Sequence, residues 1–144
     1  MIQAWRLCRR PYADLSGDGA RRFGGRWNRR GRPVVYLAEH PALAVLEVRV
    51  HLDLPLDLLP DDYVLVEALI PEAAAVTIAE IPADTAARGD AWLTAGETAT
   101  LRVPSVLVPH AWNILLNPAH PGSAEARIGM IEPFRFDPRM WHSG

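Results

Sequence analysis

Residues 33–51, PVVYLAEHPALAVLEVRVH, constrain the fold more tightly than any other part of the chain. PVVYLA (33–38) is apolar and β-branched, the make-up of an inner strand, which Pro33 can begin but could not interrupt. Pro41 falls where the first turn of a helix tolerates proline, and the spacing predicts a helix over 41–51. At 100° per residue Leu43, Leu46, Glu47 and Val50 share one face, with Ala44 and His51 at its edge and Val45 and Arg49 opposite. Glu47 therefore sits inside an apolar arc, with His51 one turn further along the same side. An unpaired carboxylate buried there costs several kcal/mol. Glu47 is then either neutralised by a cation or faces a cleft, and an arginine of the preceding loop is the obvious partner.

The other elements are shorter. Ile2–Leu7 reads as a strand, Asp14–Gly19 as a turn and Phe23–Gly31 as a loop. Asp62–Ile70 is a strand, Ala75–Ile78 extends the same sheet, and Asp84–Thr98 is helical, punctuated by Gly89 and Gly96. Ser105–Val108 and Asn113–Leu116 read as short strands between prolines, and Ile131–Phe136 closes the sheet. Strands outnumber helices and do not alternate regularly with them, which points to an α+β fold over a doubly wound one.

The length of 144 residues suits one domain, 1–144, with a real core. No apolar run is long enough for a transmembrane helix, and the N-terminal MIQAWRLCRRPY lacks the layout of a signal peptide. Cys8, the single cysteine, has no internal disulfide partner and suits a reducing cytoplasm. The net charge of −2 conceals an asymmetry: residues 1–32 carry nine arginines against Asp14 and Asp18, whereas the rest carries six against fifteen acids. A basic segment on an acidic body suggests a local anion site more than a general nucleic-acid surface.

Within that segment, Gly24 and Gly25 permit close backbone approach to a ligand, and an adjacent arginine fork can hold a phosphate bidentately. Neither the Gly-Lys-Ser/Thr of a Walker loop nor a Gly-x-Gly-x-x-Gly fingerprint is present. A solvated arginine-rich hairpin fits the same composition. Ser105 has no Gly-x-Ser-x-Gly elbow around it, so it is not the nucleophile of a serine hydrolase. The five histidines (40, 51, 110, 120 and 142) lack metal-ligand spacing, and no metal is expected.

Taken in order, GGRWN, PVVYLAE, ALAVLE, the PS pair at 104–105 and LLNP at 115–118 resemble the RES domain family, which is named for an Arg, a Glu and a Ser. The resemblance runs from about Phe23 to Pro121 and rests on several motifs in order. It implies a compact ADP-ribosyltransferase-like fold, with a central split and twisted β-sheet flanked by a few helices. It also implies a cytoplasmic bacterial toxin of a type II toxin–antitoxin pair. Such a protein uses NAD as substrate and cleaves the nicotinamide–ribose bond, either degrading NAD or transferring ADP-ribose to a protein. One possible protein acceptor is phosphoribosyl pyrophosphate synthetase. The implied partner is an Xre-type helix-turn-helix antitoxin that occludes the active site, with no membrane and no direct nucleic-acid contact.

By position the family arginine falls on Arg26, the tyrosine on Tyr36, the glutamate on Glu47 and the serine on Ser105. His51 and Asn117 are implied neighbours of the site. A competing reading, from another class, is a non-catalytic phosphate- or nucleic-acid-binding module that uses Arg21–Arg32 and Trp27.

Overall fold

In a computed structural model, residues 1–71 and 75–141 are described, and they build one seven-stranded sheet. The chain order is β1 (Ile2–Arg9), α1 (Asp18–Phe23), β2 (Val35–Ala38), α2 (Pro41–Arg49), β3 (Tyr63–Ile70), β4 (Ala75–Thr77), α3 (Thr85–Ala95), β5 (Thr100–Pro104), β6 (Trp112–Leu116) and β7 (Arg127–Pro133). The strands lie in the order β4-β5-β6-β2-β1-β3-β7. All neighbours are antiparallel except β4 and β5. The architecture is the α+β one expected from the order of elements.

The sheet is split at its centre. β1 pairs with β3 along its whole length, Ile2↔Ile70 to Arg9↔Tyr63, and β2 pairs with β6 along its own. Between β1 and β2 there is a single register pair, Trp5↔Ala38. Past Trp5 the β2-facing edge of β1 is free of ladder bonds to β2, and space opens there.

Register also assigns the faces. Trp5 and Ala38 are opposite one another, Tyr36 opposes Leu115, and Leu115 opposes Leu101, so these residues share a face. α2 packs Leu43 and Ala44 over Ala38 and Trp5 at one end of it. α3 packs Trp92 and Leu93 over Leu101, Val103 and Leu115 at the other. The opposite face buries Ala4, Val35, Leu37, Ile114 and Leu116 under Leu15 and Ala126.

Several boundaries differ from those the sequence suggests. Residues 18–23 form α1, a short helix with two arginines and no apolar stripe to announce it. Gly17 precedes it in the left-handed region (φ 70°), where a Cβ would also press on the Val34 backbone. Helix α2 begins at Pro41, with His40 Nδ1 accepting the Ala42 N–H at 3.0 Å as a cap, but ends at Arg49. Val50, expected on the buried face, is 46% exposed, and His51 lies in the following turn. Ser105–Val108 is a turn where a strand was expected. The Ser105 hydroxyl takes the Leu107 and Val108 N–H groups at 3.1 and 3.2 Å, which removes them from any ladder. The closing strand is Arg127–Pro133, earlier than 131–136, and a register shift opposite Glu67/Ala68 bulges it at Gly129. Phe134 and Phe136 instead leave the sheet and pack edge-to-face beside Tyr63 and Trp141.

Candidate active site

The split in the sheet opens into a cleft of about 550 Å³ between α2 and the glycine-arginine loop. Its volume lies in the range of small-molecule sites. β1 contributes Arg6, β2 contributes Tyr36, the loop contributes Gly25 and Arg26, and α2 contributes Glu47. His51, from the turn after α2, and Asn113, from β6, complete the rim.

The loop is held by a side-chain network more than by its own backbone. Asn28 is 2% exposed and uses its whole amide: Nδ2 donates to the carbonyls of Ala20 (2.9 Å) and Arg29 (3.0 Å), and Oδ1 accepts the Tyr36 hydroxyl proton at 2.6 Å. The Tyr36 oxygen in turn accepts the Trp27 N–H at 2.9 Å. Burial pushes the Tyr36 phenol up to about 12, against the opposing effect of the Trp27 N–H. A Cβ at Gly25 would stand 2.7 Å from that hydroxyl, so the tight crossing of loop over tyrosine requires glycine here.

Helix α3 clamps the same loop from behind. Thr85 Oγ1 donates to the Arg26 carbonyl at 2.6 Å, and the Arg29 N–H donates to the Asp90 carboxylate at 3.1 Å. The Arg29 guanidinium reaches Asp84 at 3.1 Å and Asp90 at 3.6 Å. The helix backbone at Gly89 lies directly on the Trp27 carbonyl, where any side chain would overlap it. Gly89 thus interrupts nothing; it lets α3 touch the loop. Trp27 is buried in the α3 cluster at 3% exposure, which leaves Arg26, one residue earlier, projecting to the cleft.

The electrostatics correct one expectation. Among the described residues Glu47 pairs with no arginine; its partner is Ser105 Oγ, at 3.4 Å from Oε1. Arg21 and Arg22 are taken by Asp18, and Arg29 by α3. Arg26 has no carboxylate within 4.0 Å among the described residues. Opposite charges therefore face one cleft without neutralising one another.

Of the residues singled out in the sequence, Arg26, Tyr36, Glu47 and His51 line the cleft. Ser105 sits behind Glu47, 8% exposed. Asn117 is elsewhere: it follows the far end of β6 from Asn113, and its Oδ1 accepts the Ala119 N–H at 3.1 Å while its carbonyl accepts the Ser123 hydroxyl. The Nδ1 atoms of His40 and His120 serve as local caps. No three His, Cys, Asp or Glu side chains converge among the described residues, and His142 lies outside them. Sequence reasoning missed Arg6 and Asn113 in the cleft lining. The one signal for Arg6 was an arginine at an otherwise apolar strand position.

This is an α+β protein whose split sheet opens on a cleft lined by a carboxylate and an arginine that no ion pair among the described residues neutralises. The RES domain family matches residues 3–137, and the chain belongs to that family. It is 39% identical to the Prs ADP-ribosylating toxin of Sphingobium sp. (strain YBL2) over 139 residues, 88% of this chain and 86% of the relative. It is 37% identical to Toxin Res of Pseudomonas putida over 147 residues, 95% and 98% of the two chains. In fold it is similar to a chain in the crystal structure of the M. tuberculosis MbcT-MbcA toxin-antitoxin complex. That match has a TM-score of 0.72 at 19% identity and covers 93% of this chain and 84% of the other.

Proposed function

We propose that this protein is the toxin of a toxin–antitoxin pair and that it cleaves NAD at the nicotinamide–ribose bond. The observation that carries the reading is Glu47: a half-buried carboxylate, unpaired by any described cation, aimed into a cleft that also holds Arg26. The names of the full-length relatives, one of them an ADP-ribosylating toxin, support it.

The chemistry suits these residues. The bond from the nicotinamide nitrogen to ribose C1′ breaks with both electrons going to nitrogen. Nicotinamide leaves neutral and positive charge grows on the ribose. Glu47 stabilises that charge, directly or through a ribose hydroxyl, from the half-buried wall of the cleft. Ser105 holds the carboxylate. Arg26 takes the diphosphate, where its planar fork exceeds a lysine point charge. Tyr36 presents its ring to the nicotinamide end while its hydroxyl stays engaged with the loop. His51, on the rim, meets the acceptor, which forms its bond to C1′ and passes its proton to the His51 imidazole or to solvent.

The acceptor is water, phosphate or a side chain of a protein such as the Prs in the Sphingobium relative's name. An Xre-type antitoxin covering the cleft is the partner this reading assigns. The alternative of a phosphate- or nucleic-acid-binding module weakens because Arg21, Arg22 and Arg29 are paired with acids. Incubating the purified protein with NAD, with and without phosphate and lysate, tests the reading by mass spectrometry. Free nicotinamide with ADP-ribose, its 1″-phosphate or a modified protein supports it and identifies the acceptor; intact NAD under all conditions overturns it.

A further inference from the structure

One row of side chains crosses the face of the sheet that carries Tyr36. Trp5, Ala38, Asn113 and Val103 lie opposite one another on β1, β2, β6 and β5, so all four belong to that face. Three are apolar; the fourth is an amide. Asn113 is half-buried and lines the cleft. Its Nδ2 donates to the Leu37 carbonyl at 3.4 Å, a long bond, and its Oδ1 receives no hydrogen bond from the described residues. Asn28, by contrast, uses both ends of its amide to hold the loop. No buried side-chain polar atom among the described residues lacks a partner, so the Asn113 oxygen is open to the cleft.

Register sets its neighbours. Tyr36 opposes Leu115, two residues along β6, which makes Tyr36 a diagonal neighbour of Asn113 on the same face. In the other direction the Ser105 N–H donates to the Ala111 carbonyl at 2.8 Å, continuing the β5–β6 ladder by two residues. Asn113 thus stands between Tyr36 and the Ser105–Glu47 pair. A polar group in an apolar row costs free energy unless something hydrogen-bonds it. A primary amide carries an acceptor and donors side by side, the complement of a second primary amide.

We propose that Asn113 reads the carboxamide of the nicotinamide ring, with Oδ1 accepting one of its N–H groups and Nδ2 donating to its carbonyl oxygen. This rests on the function proposed above and adds to it a specificity residue for the leaving group. With Glu47 at the ribose and Tyr36 against the ring, the carboxamide is the part of the leaving group that a side-chain amide can bond. Two such bonds hold the ring in one orientation. They also disfavour the nicotinic acid analogue of NAD, whose carboxylate has no N–H to give and faces the Asn113 oxygen.

The test compares kcat/KM of the full chain for NAD and for the nicotinic acid analogue, read as release of either base. Wild type is expected to favour NAD at least about a hundredfold, since a site built to bond a polar group rejects a substrate that lacks it. Asn113→Val suits a strand between Ala38 and Val103. It should cut kcat/KM for NAD about ten- to a hundredfold, the worth of two amide bonds, and lower the preference by about tenfold or more. Asn113→Ala puts the same question if circular dichroism shows the valine variant unfolded. ADP-ribose, which lacks nicotinamide, should bind the variants as tightly as wild type in calorimetry. A preference within about twofold of wild type in a folded variant, or ADP-ribose binding that falls in step with kcat/KM, overturns the proposal. If wild type leaves NAD intact, the functional reading fails and this one with it, whereas cleaved NAD with an unchanged preference removes Asn113 alone.

Discussion

Ser105 Oγ lies 3.4 Å from Glu47 Oε1 while its lone pairs receive two backbone N–H groups, from Leu107 and Val108. With both acceptor positions occupied, the hydroxyl proton has one direction left, toward the carboxylate. In the function proposed above Ser105 then positions Glu47, and the turn that orients it follows directly on β5. Ser105→Ala should lower kcat for nicotinamide release about tenfold or more with little change in KM. It should also cost about 1–3 kcal/mol of stability through the two freed N–H groups. An unchanged kcat in the folded variant removes Ser105 from the site.

Tyr36 links stability to alkaline pH. Its phenol titrates at about 12 in the folded protein against 10.0 for the free side chain, because burial disfavours the phenolate. For an acid whose folded pKa is raised, the stabilising contribution is complete below pH 10 and is lost as pH rises through 12. Its size is on the order of 2–3 kcal/mol. Tyr36→Phe should flatten the fall in melting temperature between pH 10 and 12. At neutral pH it should cost about 1–3 kcal/mol, since the buried Asn28 Oδ1 loses its donor. An alkaline melting profile parallel to wild type would contradict this.

Gly89→Ala offers a test with an inverted sign. In an ordinary helix interior alanine is favoured over glycine by about 0.8–1 kcal/mol. Here the new Cβ would overlap the Trp27 carbonyl, so the loop must move. Denaturant unfolding should show a loss of about 1–3 kcal/mol. KM for NAD should rise as well, because Arg26 rides on that loop. A stabilised variant would mean that α3 does not clamp the loop.

Asn117→Ala separates structure from chemistry. Loss of its bond to the Ala119 N–H should lower stability by about 1 kcal/mol while leaving nicotinamide release by the folded protein unchanged. A selective fall in kcat would return Asn117 to the site.

The part of the molecule legible in the sequence is the part dominated by local pattern. The β2–α2 unit combines β-branched composition, a helix-starting proline and an apolar arc, so Glu47 stands out from residue spacing alone. The turn at Ser105 is hidden because its residues are as strand-like as those of β5, and a single hydroxyl decides the matter. β7 is misplaced by pattern because it is an exposed edge strand with a bulge and little alternation. Arg6 is invisible as a cleft residue because its place depends on where two strands stop pairing. Likewise the absence of an arginine partner for Glu47 is a three-dimensional fact: Arg21, Arg22 and Arg29 are drawn to Asp18, Asp84 and Asp90, and Arg26 lines the cleft without forming an ion pair among the described residues.

If Glu47 stabilises the charge that develops on the ribose as nicotinamide leaves, removing its own charge must slow that step. Glu47→Gln keeps the shape and a hydrogen bond to Ser105 while removing the charge. The direct measurement is single-turnover nicotinamide release, alongside a melting curve. The expected result is a folded protein whose release rate falls at least about a hundred- to a thousandfold, comparable to removing one transition-state partner. A folded Glu47→Gln protein that releases nicotinamide at the wild-type rate would contradict that role.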